Sequence, residues 1–139
     1  MANMSLDTRS RVGETEKLTI NLGVVDLGQI DLLVQEGFYS NRTDLIRTAI
    51  RNQLLAHGEA VKRTVARRTL VLGLQHFGRV DLERALAAGQ MLQIQVVGLA
   101  RIANDVSPEL ARATIQSVEV LGAFHASAAV RSALADRIL

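Results

Sequence analysis

A short strand with no partner in its own neighbourhood is the feature that most restricts how this chain can fold. Lys17-Leu18-Thr19-Ile20-Asn21-Leu22 alternates polar and apolar residues. That period of two places Leu18, Ile20 and Leu22 on one face of a β-strand. A single amphipathic strand is not stable alone. Gly23 ends the alternation, and the two segments that follow have helical periodicity, so no second strand lies within hairpin distance. The simplest partner is the same strand of a second chain. An antiparallel two-stranded ribbon backed by four helices makes such a chain an obligate dimer.

The first of those helices is expected to start at an Asp26 cap and run to about Glu36, with Leu27, Ile30, Leu33 and Val34 as its apolar stripe. Gly37 suits a left-handed helix end. Ser40 or Asn41 opens the second helix, whose apolar face is Leu45, Ile46, Ala49, Ile50, Leu54 and Leu55. Gly58 is a candidate end for it, although Val61 and Val65 carry the stripe on towards Arg68.

Beyond residue 68 the sequence repeats. Val71-Leu72-Gly73-Leu74-Gln75-His76 matches Val96-Val97-Gly98-Leu99-Ala100-Arg101, and both match Val120-Leu121-Gly122-Ala123-Phe124-His125. A helical piece follows each strand-like piece: Asp81–Ala88, Ser107–Ile115 and Ala128–Ile138. A strand and a helix recurring at this spacing predict parallel strands stacked as a small α/β solenoid. The rows Leu70/Leu72, Ile94/Val96 and Val118/Val120 are expected to fill its core. Gly73, Gly98 and Gly122 are structural positions where a side chain is unwelcome, Gly98 least tolerant because its rung has neighbours on both sides. Open ends of the stack invite pairing with another chain.

The chain therefore divides into a flexible arm at 1–15, a dimeric α+β ribbon domain at 16–60, a basic linker or helix extension at 61–68, and a three-repeat strand-helix oligomerisation domain at 69–139. Net charge is only +2, which does not by itself argue for nucleic acid, but ten of the sixteen Lys and Arg residues precede residue 69. There is no Cys, so disulfides and thiolate metal sites are excluded. No apolar run approaches the ~18–20 residues of a membrane span, and the N-terminus lacks the apolar stretch of a signal peptide. A cytoplasmic, nucleoid-associated protein is the expectation.

The order strand, helix, helix over about Glu16–Ala56 resembles the ribbon-helix-helix (Arc/MetJ/CopG-like) DNA-binding family. The resemblance rests on the strand Lys17–Leu22, the turn Gly37-Phe38-Tyr39-Ser40-Asn41-Arg42-Thr43 and the run Leu45-Ile46-Arg47-Thr48-Ala49-Ile50. It implies a ribbon in the major groove, with Lys17, Thr19 and Asn21 facing the bases. It also implies that Ser40, Asn41, Arg42 and Thr43 grip phosphate at the start of the second helix. The chemistry fits: Lys donates to guanine O6/N7, Asn bonds adenine bidentately, and a helix N-terminus presents free N–H groups to phosphate. The chain departs from the family in one place, having Gly23-Val24-Val25 where a Pro is common. The C-terminal half resembles no named family.

Arg47, Arg51, Lys62 and Arg63 are candidates for flanking DNA contacts, with a solvated face as the alternative. His76 and His125 share a repeat slot with Arg101 between them, and the Arg argues against a metal cluster. No polar, convergent group marks a sensor pocket. No catalytic set, metal site or cofactor is expected, and the chain is not expected to be an enzyme. The partners are double-stranded DNA and the chain itself. The expected function is a DNA-binding transcriptional regulator, a repressor, whose C-terminal repeats drive higher assembly. A polymerising structural DNA-organising protein is the alternative. An antitoxin with a toxin partner is a weaker one, because the C-terminal half is apolar and repetitive.

Overall fold

The computed structural model describes residues 15–139. Apart from Thr15, the expected N-terminal arm lies outside the described residues. The described chain falls into two units, Thr15–Thr64 and Val65–Leu139.

In the first unit, residues 15–23 belong to no helix and no sheet. The expected strand Lys17–Leu22 is absent from the single chain because it has nothing to bond: a strand requires a ladder partner, and the only sheet among the described residues is formed elsewhere. Helix α1 follows at Val24–Gln35. Its cap is the extended Gly23 and not Asp26, which lies within the first turn. There a carboxylate complements the helix dipole. The helix ends in a Schellman turn, with Gly37 at φ 86°. Its N–H bonds the Val34 carbonyl, and the Phe38 N–H bonds that of Leu33.

Helix α2 spans Arg42–Ala56 behind an Asn41 cap. His57 interrupts it, and Gly58 does not end the helical path but starts helix α3, Gly58–Arg67. Gly58, Val61, Thr64 and Val65 are its half-buried positions, while Lys62, Arg63 and Arg67 are exposed.

The second unit is a β-α-β-α-β arrangement with its three strands parallel in the order β1-β2-β3. Strand β1 is Val71–Phe77, helix α4 Arg79–Ala87, strand β2 Leu92–Ile102, helix α5 Pro108–Thr114, strand β3 Ile115–His125 and helix α6 Ala128–Ala133. The three sequence-aligned segments are the strands, in register. Val71 lies beside Val96 and Val96 beside Val120; Gly73 lies beside Gly98 and Gly98 beside Gly122. The helices differ from expectation at their ends. Ile115 opens β3, so α5 stops at Thr114, and α6 gives way to a 3-10 turn at Ala135–Arg137 before Ile138 bridges to Val118. Ser107 caps α5 by accepting from the Leu110 N–H at 3.1 Å, with Pro108 at the first helical position.

Helix α5 packs between α4 and α6, and the core lies between these helices and one sheet face. Leu82, Ile94, Val96, Ala111, Ile115, Val118, Val130 and Leu134 are fully buried there. Leu72 is not part of it, being 59% exposed. The register explains this: Leu72 aligns with Val97 and Leu121, not with Val96, and alternation turns that row to the face without helices. On that face stand Leu72/Val97/Leu121, then Leu74/Leu99/Ala123, then His76/Arg101/His125.

The glycine column runs through the sheet at φ 137°, 137° and 119°. A Cβ on Gly98 would come within 2.1 Å of the Gly73 carbonyl oxygen, and one on Gly122 within 2.1 Å of the Gly98 oxygen, whereas one on Gly73 would meet nothing within 4 Å. Gly98 is therefore not uniquely intolerant. Each Cβ vector points at the preceding strand, and only β1 lacks one.

The two sheet edges differ. On β3, Ile138 pairs with Val118, and the Leu139 N–H bonds the Val118 carbonyl at 2.8 Å. Arg137 holds this tail by donating to the carbonyls of Arg112 and Ile115, and Arg112 forms a bidentate pair with Asp136. Higher up, Arg131 donates to the Phe124 carbonyl and lies over its ring. Among the described residues nothing comparable covers the outer edge of β1, where Val71, Leu72 and Leu74 are exposed.

Candidate nucleic-acid interface

Lys17, Thr19 and Asn21 are all exposed on the segment that precedes α1. Their apolar alternates are exposed too, Leu18 at 78% and Ile20 at 52%. An extended backbone makes the polar trio one row and the apolar trio the opposite row.

The start of α2 is built by reciprocal capping. The Asn41 Oδ1 accepts from the Asp44 N–H at 2.8 Å, and the Asp44 carboxylate accepts from the Ser40 N–H at 2.9 Å. Two of the candidate phosphate donors are thereby shaped by Asp44. The amides of Arg42 and Thr43 occupy the first two helical positions, whose N–H groups have no intrahelical acceptor. They are the donors this turn can offer to an anion.

The Arg42 side chain is engaged with Asp31 of α1. Its Nε and Nη2 donate to the two carboxylate oxygens at 2.7 and 2.8 Å. Those hydrogen bonds, with the charge of Arg42, hold the Asp31 carboxyl below its ordinary value and the Arg42 guanidinium above its own. The pair clasps α1 to α2 at the mouth of the turn. Arg42 thus serves the fold in the single chain.

The flanking candidates spread along the helices. Arg47 and Arg51 are exposed on α2, and Arg63 is exposed on α3. Lys62 lies 3.7 Å from Glu59 one turn earlier. Arg51 also borders an open apolar hollow of ≈ 360 Å³ with Leu54, Leu55 and Gly58.

Sequence reasoning missed two partners in this site. Asp44, three residues after Asn41, has the spacing of a capping box and was legible. The Asp31–Arg42 clasp crosses a turn at a separation with no local signature. In the second unit it also missed a concavity of ≈ 350 Å³ that brings His76, Arg101, Asn104 and His125 together. The signal for it was the shared repeat slot of His76, Arg101 and His125.

Among the described residues no three His, Cys, Asp or Glu side chains gather to hold a metal ion. Among them no helix is long and apolar enough to cross a membrane. No curated protein and no solved structure matches the chain significantly. The model of the ribbon-helix-helix transcriptional regulator family does match, over residues 13–131. That span takes in the segment before α1, the capped α2 and all three parallel strands, well past the Glu16–Ala56 stretch that carries the resemblance in sequence. The chain belongs to the ribbon-helix-helix transcriptional regulator family.

Proposed function

We propose that this regulator is a repressor that binds duplex DNA as a dimer, two Lys17–Leu22 segments pairing antiparallel into a ribbon seated in the major groove. The observation that carries the dimer is burial. From residue 15 to residue 64 not one side chain is buried in the single chain, although Ile50, Leu54 and Leu55 form a continuous apolar face on α2. Helices draw most of their stability from packing such a face. A second copy supplies that packing and the missing ribbon strand in one step.

In this arrangement Lys17, Thr19 and Asn21 read base edges. The amides of Arg42 and Thr43, with the Ser40 and Thr43 hydroxyls, hold phosphate. Arg47, Arg51, Lys62 and Arg63 add weaker flanking contacts. The C-terminal unit carries assembly beyond the dimer through its β1 edge, which no described residue pairs with. The cover on the β3 edge favours a closed, two-fold pairing of β1 strands over a head-to-tail filament, and with it a repressor over a polymerising DNA organiser.

Footprinting combined with light scattering tests this reading. A short palindromic footprint and a fixed mass are expected, and extended coverage with open-ended mass would replace it with the organiser. Asn21→Ala is expected to weaken specific binding by about 1–3 kcal/mol while leaving random DNA nearly unchanged. An equal loss on both would remove Asn21 from base reading.

A further inference from the structure

We infer that the sheet face opposite α4, α5 and α6 packs against the same face of a second copy of the chain. The residues turned to that face fall into rows across the strands. Gln95 and Glu119 form a polar row, with Glu119 in an ion pair with Arg68 at 2.6 Å. Leu72/Val97/Leu121 and Leu74/Leu99/Ala123 follow, and His76/Arg101/His125 closes the set. Two aliphatic rows thus stand between two polar ones, as an interface core stands inside its rim.

The aliphatic rows are left open by the rest of the chain. Leu72, Leu74 and Leu121 are 59%, 48% and 50% exposed. All-parallel sheets occur almost only with both faces covered. Here α4, α5 and α6 all serve the opposite face, through Leu82, Ala111 and Val130. The size of the patch selects its occupant. Three strands ~4.8 Å apart and two rows, four residues deep at ~3.3 Å each, cover about 200 Å². A stable free-standing interface takes about 800 Å² from each partner. A separate protein is therefore not retained by this patch alone. A second copy already joined through residues 15–64 is retained, because tethering raises its effective concentration to the order of millimolar. An aliphatic patch is also its own complement across a two-fold axis, and sheets pack face to face through such side chains. The tether rests on the dimer proposed above, and the face is distinct from the β1 edge.

Cross-linking of the full chain tests this. The chain has no Cys, so one introduced thiol reports one position. Val97→Cys lies on the middle strand, beside its own copy whichever way the two-fold axis runs. Pairing of β1 edges would instead hold the two β2 strands three spacings apart, ~14 Å. With a short bifunctional maleimide, Val97→Cys is expected to give at least tenfold more covalent dimer than Glu83→Cys, an exposed control on α4. Leu121→Cys is the second placement if Val97→Cys fails to fold. Adding Leu72→Asp is expected to cut the yield at least tenfold with unchanged circular dichroism. The yield should hold on dilution and, once Leu54→Lys breaks the tether, fall in proportion to concentration. A yield that falls alike with and without Leu54→Lys still assigns the face to a second copy and removes the ribbon dimer as its tether. No excess of covalent dimer at Val97→Cys or Leu121→Cys over Glu83→Cys would give the face to another occupant and overturn the proposal. A yield that Leu72→Asp leaves unchanged would overturn it as well.

Discussion

At the scale of single residues, the Asp31–Arg42 pair decides how the start of α2 behaves. Both groups are solvent-accessible, so the clasp has a positional role more than a large energetic one. The Asp31 carboxyl is held below its ordinary value. The contribution of the clasp is therefore complete above the usual carboxylate range and is lost as pH falls through the depressed value. Asp31→Ala releases Arg42 towards phosphate. The expected outcome is tighter binding to all DNA sequences alike, with a salt slope steeper by about one unit for the added contact. Measuring affinity across a salt series checks this, and an unchanged slope would show that Arg42 has no part in phosphate binding. The polar identities here were legible from the sequence, since Asn41, Arg42 and Thr43 follow the family's turn. What Arg42 touches was not, because Asp31 sits on another helix across a turn whose geometry is tertiary.

At the scale of elements, periodicity and repeats were legible and terminations less so. The register of all three strands followed from aligning Gly73, Gly98 and Gly122, since parallel neighbours built from one repeat must superpose. Leu72 was misplaced because a row chosen one residue out of phase turns to the opposite sheet face. The tolerance of the glycines could not be ranked without the Cβ directions. Gly98→Ala and Gly122→Ala combine a steric collision with a left-handed backbone, and each is expected to cost on the order of 3 kcal/mol. Gly73→Ala carries the backbone term alone, about 1–2 kcal/mol. Denaturant melts of the three variants check the order, and a Gly122 variant as stable as the Gly73 variant would contradict the directed stacking. Helix ends supply a second comparison. α1, α3 and α4 all stop in Schellman turns, with Gly37, Thr69 and Gly89 at the left-handed position. Thr69, at φ 54°, is the β-branched exception, and its strain outweighs the chain entropy that Gly loses on folding. Thr69→Gly is expected to stabilise the chain by about 0.5–1 kcal/mol, which a rise in melting temperature would register.

At the scale of the whole molecule, the two units obtain stability in different ways. Val65–Leu139 encloses its own core, from Leu82 on α4 to Leu134 after α6. Thr15–Thr64 encloses none, and its apolar stripes at Leu18, Ile20, Leu54 and Leu55 remain on the surface. The proposal of a partner strand rests on Lys17–Leu22, because alternation without a hairpin partner leaves one economical solution. If the first unit folds only by association, its stability must fall with dilution, by about 1.4 kcal/mol for each tenfold decrease in concentration. The second unit, with its core inside one chain, has no such requirement for its β-α-β-α-β core. Thermal melts followed by circular dichroism over a dilution series should therefore resolve two transitions. One is helical and moves to lower temperature on dilution; the other retains its strand signal and stays in place. Leu54→Lys, in the apolar face of α2, should shift the first transition and leave the second untouched. A first transition independent of concentration would mean that residues 15–64 fold as a monomer, and the ribbon would lose its physical basis.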